Sequence, residues 1–376
     1  MTLMINCKTT QEPKIPKNEK CLVFEGREGA SYNHHACVAF FKGKFYAAWS
    51  SSPNNEDDCG QKIMMSVSDG FDNWCEAFPL IDSMRGEYSN AVLLAGGLAV
   101  FGDTLYIYFG YYEYAKEDVR ENGTLRPLAE NDHYHNGTKA GFVCTKDGKV
   151  WSEPQFLGIP AVPNHAPSPL HSGRLLMPCS ILFPYSDDKS GVGEYKFAGI
   201  YGDSFGDAKP YDDSVSVEMV TKKMGWNVRL ICEGSFFQTD DDVIHMMLRS
   251  NTEHLWCAES RDDGESWTGP FETEFTDDWA KFHFSRLPDG RFYYVGNNVP
   301  GQGRNPLMLC ISEDGENFDR HFILRNEPFE RKFGGLYKGG VYGYPVSIVH
   351  DGYLYVIYSK RKENIEITRV SLDELK

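Results

Sequence analysis

Ser260–Trp267 reads SRDDGESW. The order of residue types describes a hairpin turn. An Asp side chain accepts backbone N–H bonds, a Gly takes the positive φ that closes the turn, and the last aromatic packs beneath it. Looser copies stand at Ser66–Trp74 (SVSDGFDNW), Thr145–Trp151 (TKDGKVW) and Ser312–Phe318 (SEDGENF). A turn that recurs at long intervals points to a repeated β unit.

A second repeat frames the first. Six times a tight polar turn leads into a short aromatic or aliphatic strand: FKGKFYAAW from Phe41, FGDTLYIYF from Phe101, HSGRLLMP from His171, TDDDVIHMML from Thr239, LPDGRFYYVG from Leu287 and VHDGYLYVIY from Val349. Aligned on Gly43, Asp103, Gly173, Asp242, Gly290 and Gly352, the copies lie 48 to 70 residues apart. Asp-Gly between β-rich runs is a strong hairpin signal, and each interval has room for about four strands. The expected fold is all-β, a six-bladed β-propeller, or a seven-bladed one if a long interval hides a short blade. Glu113–Gly123 (EYAKEDVRENG) is the single helix candidate. Lys20–Gly26 (KCLVFEG) precedes the first repeat and is expected to pair into the last blade, which removes an open sheet edge. Residues 1–19 then form a lead-in and 20–376 one propeller domain.

Composition bounds the function. The chain has 376 residues, 41% apolar and 14% aromatic, enough for a sizeable core. A formal charge of −16 argues against nucleic acid and anionic membranes as partners, although a few local arginines can still hold an acidic substrate. No apolar run has the length of a signal peptide or a membrane helix. The ten cysteines are scattered without a C-x-x-C pair. These features predict a reduced, cytoplasmic protein with no cofactor and no metal, in which the sequons at Asn122 and Asn136 carry no meaning. DHYH at Asp132–His135 has metal-like spacing but lies among Asn and Gly, and reads as a solvated or substrate-rim loop.

The SRDDGESW pattern resembles the Asp-box of the sialidase superfamily, a structural turn that identifies the fold and carries no chemistry. The resemblance extends to site segments. CEGSFFQTDDDVIHMMLRS is similar to the sialidase segment that holds a catalytic Glu and then an Arg for the substrate carboxylate, which implies those roles for Glu233 and Arg249. GQGRNPLMLCISEDGENF implies a second carboxylate Arg at Arg304, and YGYPVSIVHDGYLYVIY implies the catalytic Tyr at Tyr344. Asp57 and Asp58 occupy the stretch of the acid/base Asp, with Asp58 assigned to catalysis and Asp57 to substrate binding. Where sialidases begin the first repeat with Phe-Arg-Ile-Pro, this chain reads NHHA, so His34 replaces one arginine of a three-arginine clamp. Imidazole does not restore a bidentate, permanently charged donor.

Histidine does offer proton transfer near neutrality. His34 and His35 are therefore catalytic candidates with Tyr344, Glu233 and Asp58. Arg249, Arg304, Lys281, His283, His165 and Asp57 are candidates for substrate binding. Lys281 and His283 alternate in AKFHF and should share one strand face, whereas strand alternation sends His34 and His35 to opposite faces. The central His resembles that of propeller enzymes cleaving rhamnose from glucuronic acid. Three functions follow: cleavage of a terminal bond in an acidic, uronate-containing oligosaccharide by elimination or hydrolysis; an exo-α-sialidase with a Tyr/Glu pair; or a non-catalytic glycan-binding propeller. The expected partner is an oligosaccharide bearing a carboxylate. Oligomeric state is not legible.

Overall fold

The computed structural model describes residues 5–114, 116, 119–120, 135–200 and 231–376. Among them are six antiparallel sheets, five of four strands and one of three. Their first strands are Tyr32–Phe41, Val92–Phe101, Ser168–Pro169, Cys232–Gln238, His283–Arg286 and Tyr342–His350. Each of the six aligned turns joins a first strand to a second, as its Gly or Asp at positive φ predicts. The third sheet is the short one, built from two-residue strands. Glu113–Gly123 falls mostly outside the described residues, as does Asp132–His135 apart from the backbone of His135.

The sheets are held by apolar clusters between them. One cluster joins the first and second sheets through Ala48, Met65, Ile107 and Phe109. Another runs from Tyr108 through Leu176 and Phe183 to Met246, joining the second, third and fourth. Phe275 and Phe284 belong to the cluster between the fourth and fifth, and Leu309 and Val356 to that between the fifth and sixth. The last, with Ala47, Trp49, Ile357 and Ile367, lies between the sixth sheet and the first. The sixth sheet thus also packs against the first, which fits a propeller.

The sixth sheet takes its outermost strand from the beginning of the chain. Asn18–Phe24 pairs with Asn364–Ser371, Asn18 facing Val370. Earlier residues lie along other sheets, with Asn6 bridged to Asn317 and Glu274, and Lys14 to Phe322. No helix among the described residues is long and apolar enough to cross a membrane.

Three of the four Asp-turns have the expected construction. Asp262 Oδ1 accepts from the Ser266 N–H at 2.9 Å, Gly264 has φ +85°, and Trp267 Nε1 donates to Gly264 O. Asp314 Oδ1 accepts from the Glu316 and Asn317 N–H groups at 2.8 Å each, and Asp147 Oδ1 from Lys149 and Val150. The Ser66 copy departs: Gly70 is not at positive φ, and Asp69 pairs with Lys44 at the surface. Its Gly stands one residue further from the aromatic than in the other three copies.

Phe318, the aromatic of one turn, is fully buried against Phe237, Phe275 and Phe284. It therefore ties a turn of the fifth sheet to the seam with the fourth. Phe318→Ala is expected to lower unfolding stability by about 3–5 kcal/mol. Urea denaturation checks this, and a loss under about 1 kcal/mol would separate the turn aromatics from the seam.

Candidate functional site

Three first strands carry the same irregularity near their starts. The pairing register shifts between His34 and Cys37, between Cys232 and Ser235, and between Gly343 and Val346. Within each shift stands a non-glycine residue in the left-handed region: His35 at φ +55°, Glu233 at +49° and Tyr344 at +54°. These are β-bulges, which add a residue to one strand and re-aim its side chain. Left-handed backbone is costly for such residues and concentrates at functional sites.

The bulges bring the three side chains together. Arg249 Nη1 donates to Tyr344 Oη at 2.8 Å and also to Glu233 Oε2. The His34 and Tyr344 rings lie 4.1 Å apart between centroids, and His35 and Tyr344 5.1 Å. His34 and His35 do not diverge as alternation predicts, because the bulge turns His35 back until the rings are 4.7 Å apart. His34 is fully buried, its Nδ1 2.6 Å from Ser359 Oγ.

Four cations surround the Tyr344 ring. Lys281 Nζ stands 5.6 Å from its centroid, Arg304 5.8 Å, Lys362 Nζ 5.9 Å and Arg249 6.0 Å. Burial alone would raise the Glu233 carboxyl, but the Arg249 charge and the hydrogen bonds of Tyr344 and Arg249 hold it at about 2. Burial lowers Lys281 to about 8, against the opposing pull of Glu233. Its Nζ donates to Asn164 O at 2.6 Å. Burial, with Lys281 next, lowers His35 to about 3, and burial, with Lys362 next, holds His34 well below the usual imidazole range. Both rings are neutral at pH 7. Burial also pushes the Tyr344 phenol well above its ordinary range.

Lys362 and its partner Glu56 belong to the site although neither stands out in the sequence. Lys362 Nζ donates to Glu56 Oε2 at 2.5 Å, and Tyr32 Oη donates to Glu56 Oε1 at 3.0 Å. Lys362 sits in the turn before Asn364, inside the charged run SKRKENIE, which reads as a solvated turn. Asp57 and Asp58 separate. Asp58 takes both Asn55 N–H groups at 3.1 Å and anchors a turn. Asp57 is half-buried, and burial with Glu56 beside it raises its carboxyl to about 7. Of the two, Asp57 has the properties expected of an acid/base group.

His34, His35 and Glu56 place ligand-type atoms within 4.8 Å of one another, a possible metal triad. Both Glu56 oxygens are already engaged, however, and four cations crowd the same space, so the electrostatics suit an anion better than a divalent ion. Among the buried side-chain atoms of the described residues that lack a partner, four lie on these groups: His34 Nε2, His35 Nδ1, Arg249 Nε and Arg304 Nη1, with Asp57 Oδ1 beside them. Buried polar groups normally find partners, and here two of the four belong to guanidinium groups.

Residues 43–356 match the BNR repeat-like domain model. The chain belongs to that family. This BNR repeat-like protein has the sialidase fold. It superposes on Trypanosoma rangeli sialidase in complex with sialic acid with a TM-score of 0.65 at 14% identity, covering 97% of this chain and 60% of that one. A mutant of the NanB sialidase from Streptococcus pneumoniae gives 0.61 at 13%, covering 94% and 70%. A protein of unknown function from Dyadobacter fermentans gives 0.65 at 16%, covering 96% and 100%. No curated protein matches the chain in sequence.

Within this BNR repeat-like protein, His165 and His283 form a separate layer. Their rings are 5.1 Å apart, His165 Nε2 meets Phe282 O at 3.0 Å and His283 Nδ1 meets Ser347 Oγ at 2.7 Å. Lys281 and His283 both face the Asn164–His165 segment, as their alternation predicts. The two histidines line a cavity of about 390 Å³ with Ser168, Phe236, Phe284 and Arg286. It extends toward the far ends of the strands, away from the Tyr344 cluster.

The histidines set a pH dependence. His35 and His283 both stand near 3 in the fold, each lowered chiefly by burial, against about 6.5 unfolded. Below pH 6.5 the unfolded chain binds protons that the native state refuses, so each histidine removes stability as pH falls toward 3, by up to about 1.4 kcal/mol per pH unit. Asp57 and Asp277, raised to about 7, act in the opposite sense between pH 4 and 7. The measurement is therefore differential. His35→Gln should flatten the acid limb of the Tm–pH curve relative to wild type, and parallel curves would refute a buried neutral imidazole.

Proposed function

We propose that this protein cleaves a terminal glycosidic bond beside a carboxylate-bearing sugar in an acidic oligosaccharide, by elimination. The observation that supports it best is the ring of cations around Tyr344, with unpartnered imidazole nitrogens at the same ring. Glu233 engages Arg249 and Glu56 engages Lys362, which leaves Arg304 and Lys281 without a carboxylate of their own among the described residues. A uronate carboxylate between Arg304 and Lys281 would balance them, and its charge would lift His35 toward its ordinary range.

The chemistry needs three groups. Cations on the carboxylate acidify the adjacent C–H. His35 Nδ1 takes that proton, the electron pair becomes a carbon–carbon double bond, and the bond to the leaving oxygen breaks. Tyr344 gives its proton to that oxygen. A neutral imidazole and an undissociated phenol are the protonation states these steps require. One observation favours hydrolysis instead: Arg249 joins Glu233 to Tyr344, the arrangement of a Tyr nucleophile and its Glu partner. The elevated phenol makes that use harder, and elimination is preferred.

Incubation with oligosaccharides whose uronate carries a sugar at O4, followed by the ultraviolet absorbance of a conjugated alkene, tests the reading. His35→Ala and Tyr344→Phe should each lower kcat about 10²- to 10⁴-fold. A rise in reducing sugar without alkene would establish hydrolysis. Binding without turnover of uronates or sialosides would leave a glycan-binding propeller.

A further inference from the structure

We infer that Trp279 is a stacking platform for a second, neutral sugar ring, so that the ligand of this site is a disaccharide or longer chain and not an isolated acidic sugar. This rests on the acidic-sugar reading above. Trp279 is 44% exposed and has φ +50°. A bulky side chain in left-handed backbone is a true outlier, and the fold gains little packing from an indole left half in solvent. Such outliers persist only where neighbours over-determine them.

The neighbours do so here. Asp277 Oδ2 accepts from the Ala280 N–H at 3.1 Å, which closes a turn around the tryptophan. The Asp278 N–H donates to Asn297 O at 2.7 Å, and Asp278 Oδ1 accepts from the Gly301 N–H at 2.9 Å. Asp278 Oδ2 accepts from the Arg304 N–H, and Arg304 Nη2 donates to Trp279 O at 2.7 Å. The loop that presents the indole thus also positions one of the carboxylate-binding candidates. Arg249 lies 5.2 Å from the indole centroid, and the same guanidinium reaches Glu233 and Tyr344. The exposed indole therefore borders the buried cation cluster.

This juxtaposition selects a ligand. The cluster below takes a carboxylate, and the flat apolar surface beside it matches the C–H face of a pyranose. Asp278 spends its carboxylate on backbone N–H groups, so the platform offers no free charge to a charged sugar. A linked neutral ring satisfies both surfaces at once.

Calorimetric titration in a Tyr344→Phe background, in which turnover is slowed about 10²- to 10⁴-fold, tests this. The probes are D-glucuronate against a rhamnosyl-glucuronate disaccharide, and N-acetylneuraminate against sialyllactose. In one pair the linked compound should bind roughly tenfold tighter than its acid alone. Trp279→Ala should remove that gain and leave the acid's affinity unchanged, while Trp279→Phe should retain most of it. Equal binding of acid and linked compound overturns the inference. Equal loss of both on Trp279→Ala also overturns it, because the residue then only positions Arg249 and Arg304. If no acid binds alone but the linked compound binds through Trp279, the platform stands and the carboxylate reading falls. If nothing binds, both fall.

Discussion

Sheets with apolar side chains on both faces cannot be left with a face uncovered. Trp49, Ala47 and Ile357 fill one seam of the first sheet while Ala48, Met65 and Ile107 fill the other. A linear stack would leave two faces to water; a stack that returns to its start leaves none. This need for cover on both sides arranges everything else. It brings the first strands of neighbouring sheets close to one another, and the cationic cluster stands near the starts of three of them.

The local parts of this arrangement were legible and the non-local parts were not. SRDDGESW and the six strand-entry turns are written in neighbouring residues, so their spacing revealed the repeats. Glu233, Arg249, Arg304 and Tyr344 were legible through resemblance, and the structure brings them within a few ångströms. Alternation failed at His34 and His35 because a non-glycine residue in left-handed backbone leaves no mark in the sequence. Lys362 was hidden for a different reason: a lysine in a charged turn reads as solvated, and only the closing of the sixth sheet onto the first carries it to Glu56. Asp57 and Asp58 were indistinguishable as neighbours, and their partners separate them: Asp58 is tied to Asn55, while Asp57 lies beside Glu56.

The cluster is an exercise in buried charge. Isolated ions are expensive inside a protein, and pairs recover that cost only with good geometry. Glu233 with Arg249 and Glu56 with Lys362 meet that condition. Arg304 and Lys281 lean on backbone carbonyls instead. Around Tyr344 the cluster sets two arginines and two lysines, with an imidazole pair against the same ring.

The strand at Asn18–Phe24 has a consequence for the order of folding. Its partner is Asn364–Ser371, and Asn18 faces Val370, 352 positions further along the sequence. Until Asn364–Ser371 has been synthesised, the sixth sheet lacks the segment that receives Asn18–Phe24. The other five sheets join strands that follow one another directly, whereas this ladder closes over a very long loop. Pairings of such high sequence separation are slow to form. A chain stopped before Asn364 therefore leaves Asn18–Phe24 without its partner strand.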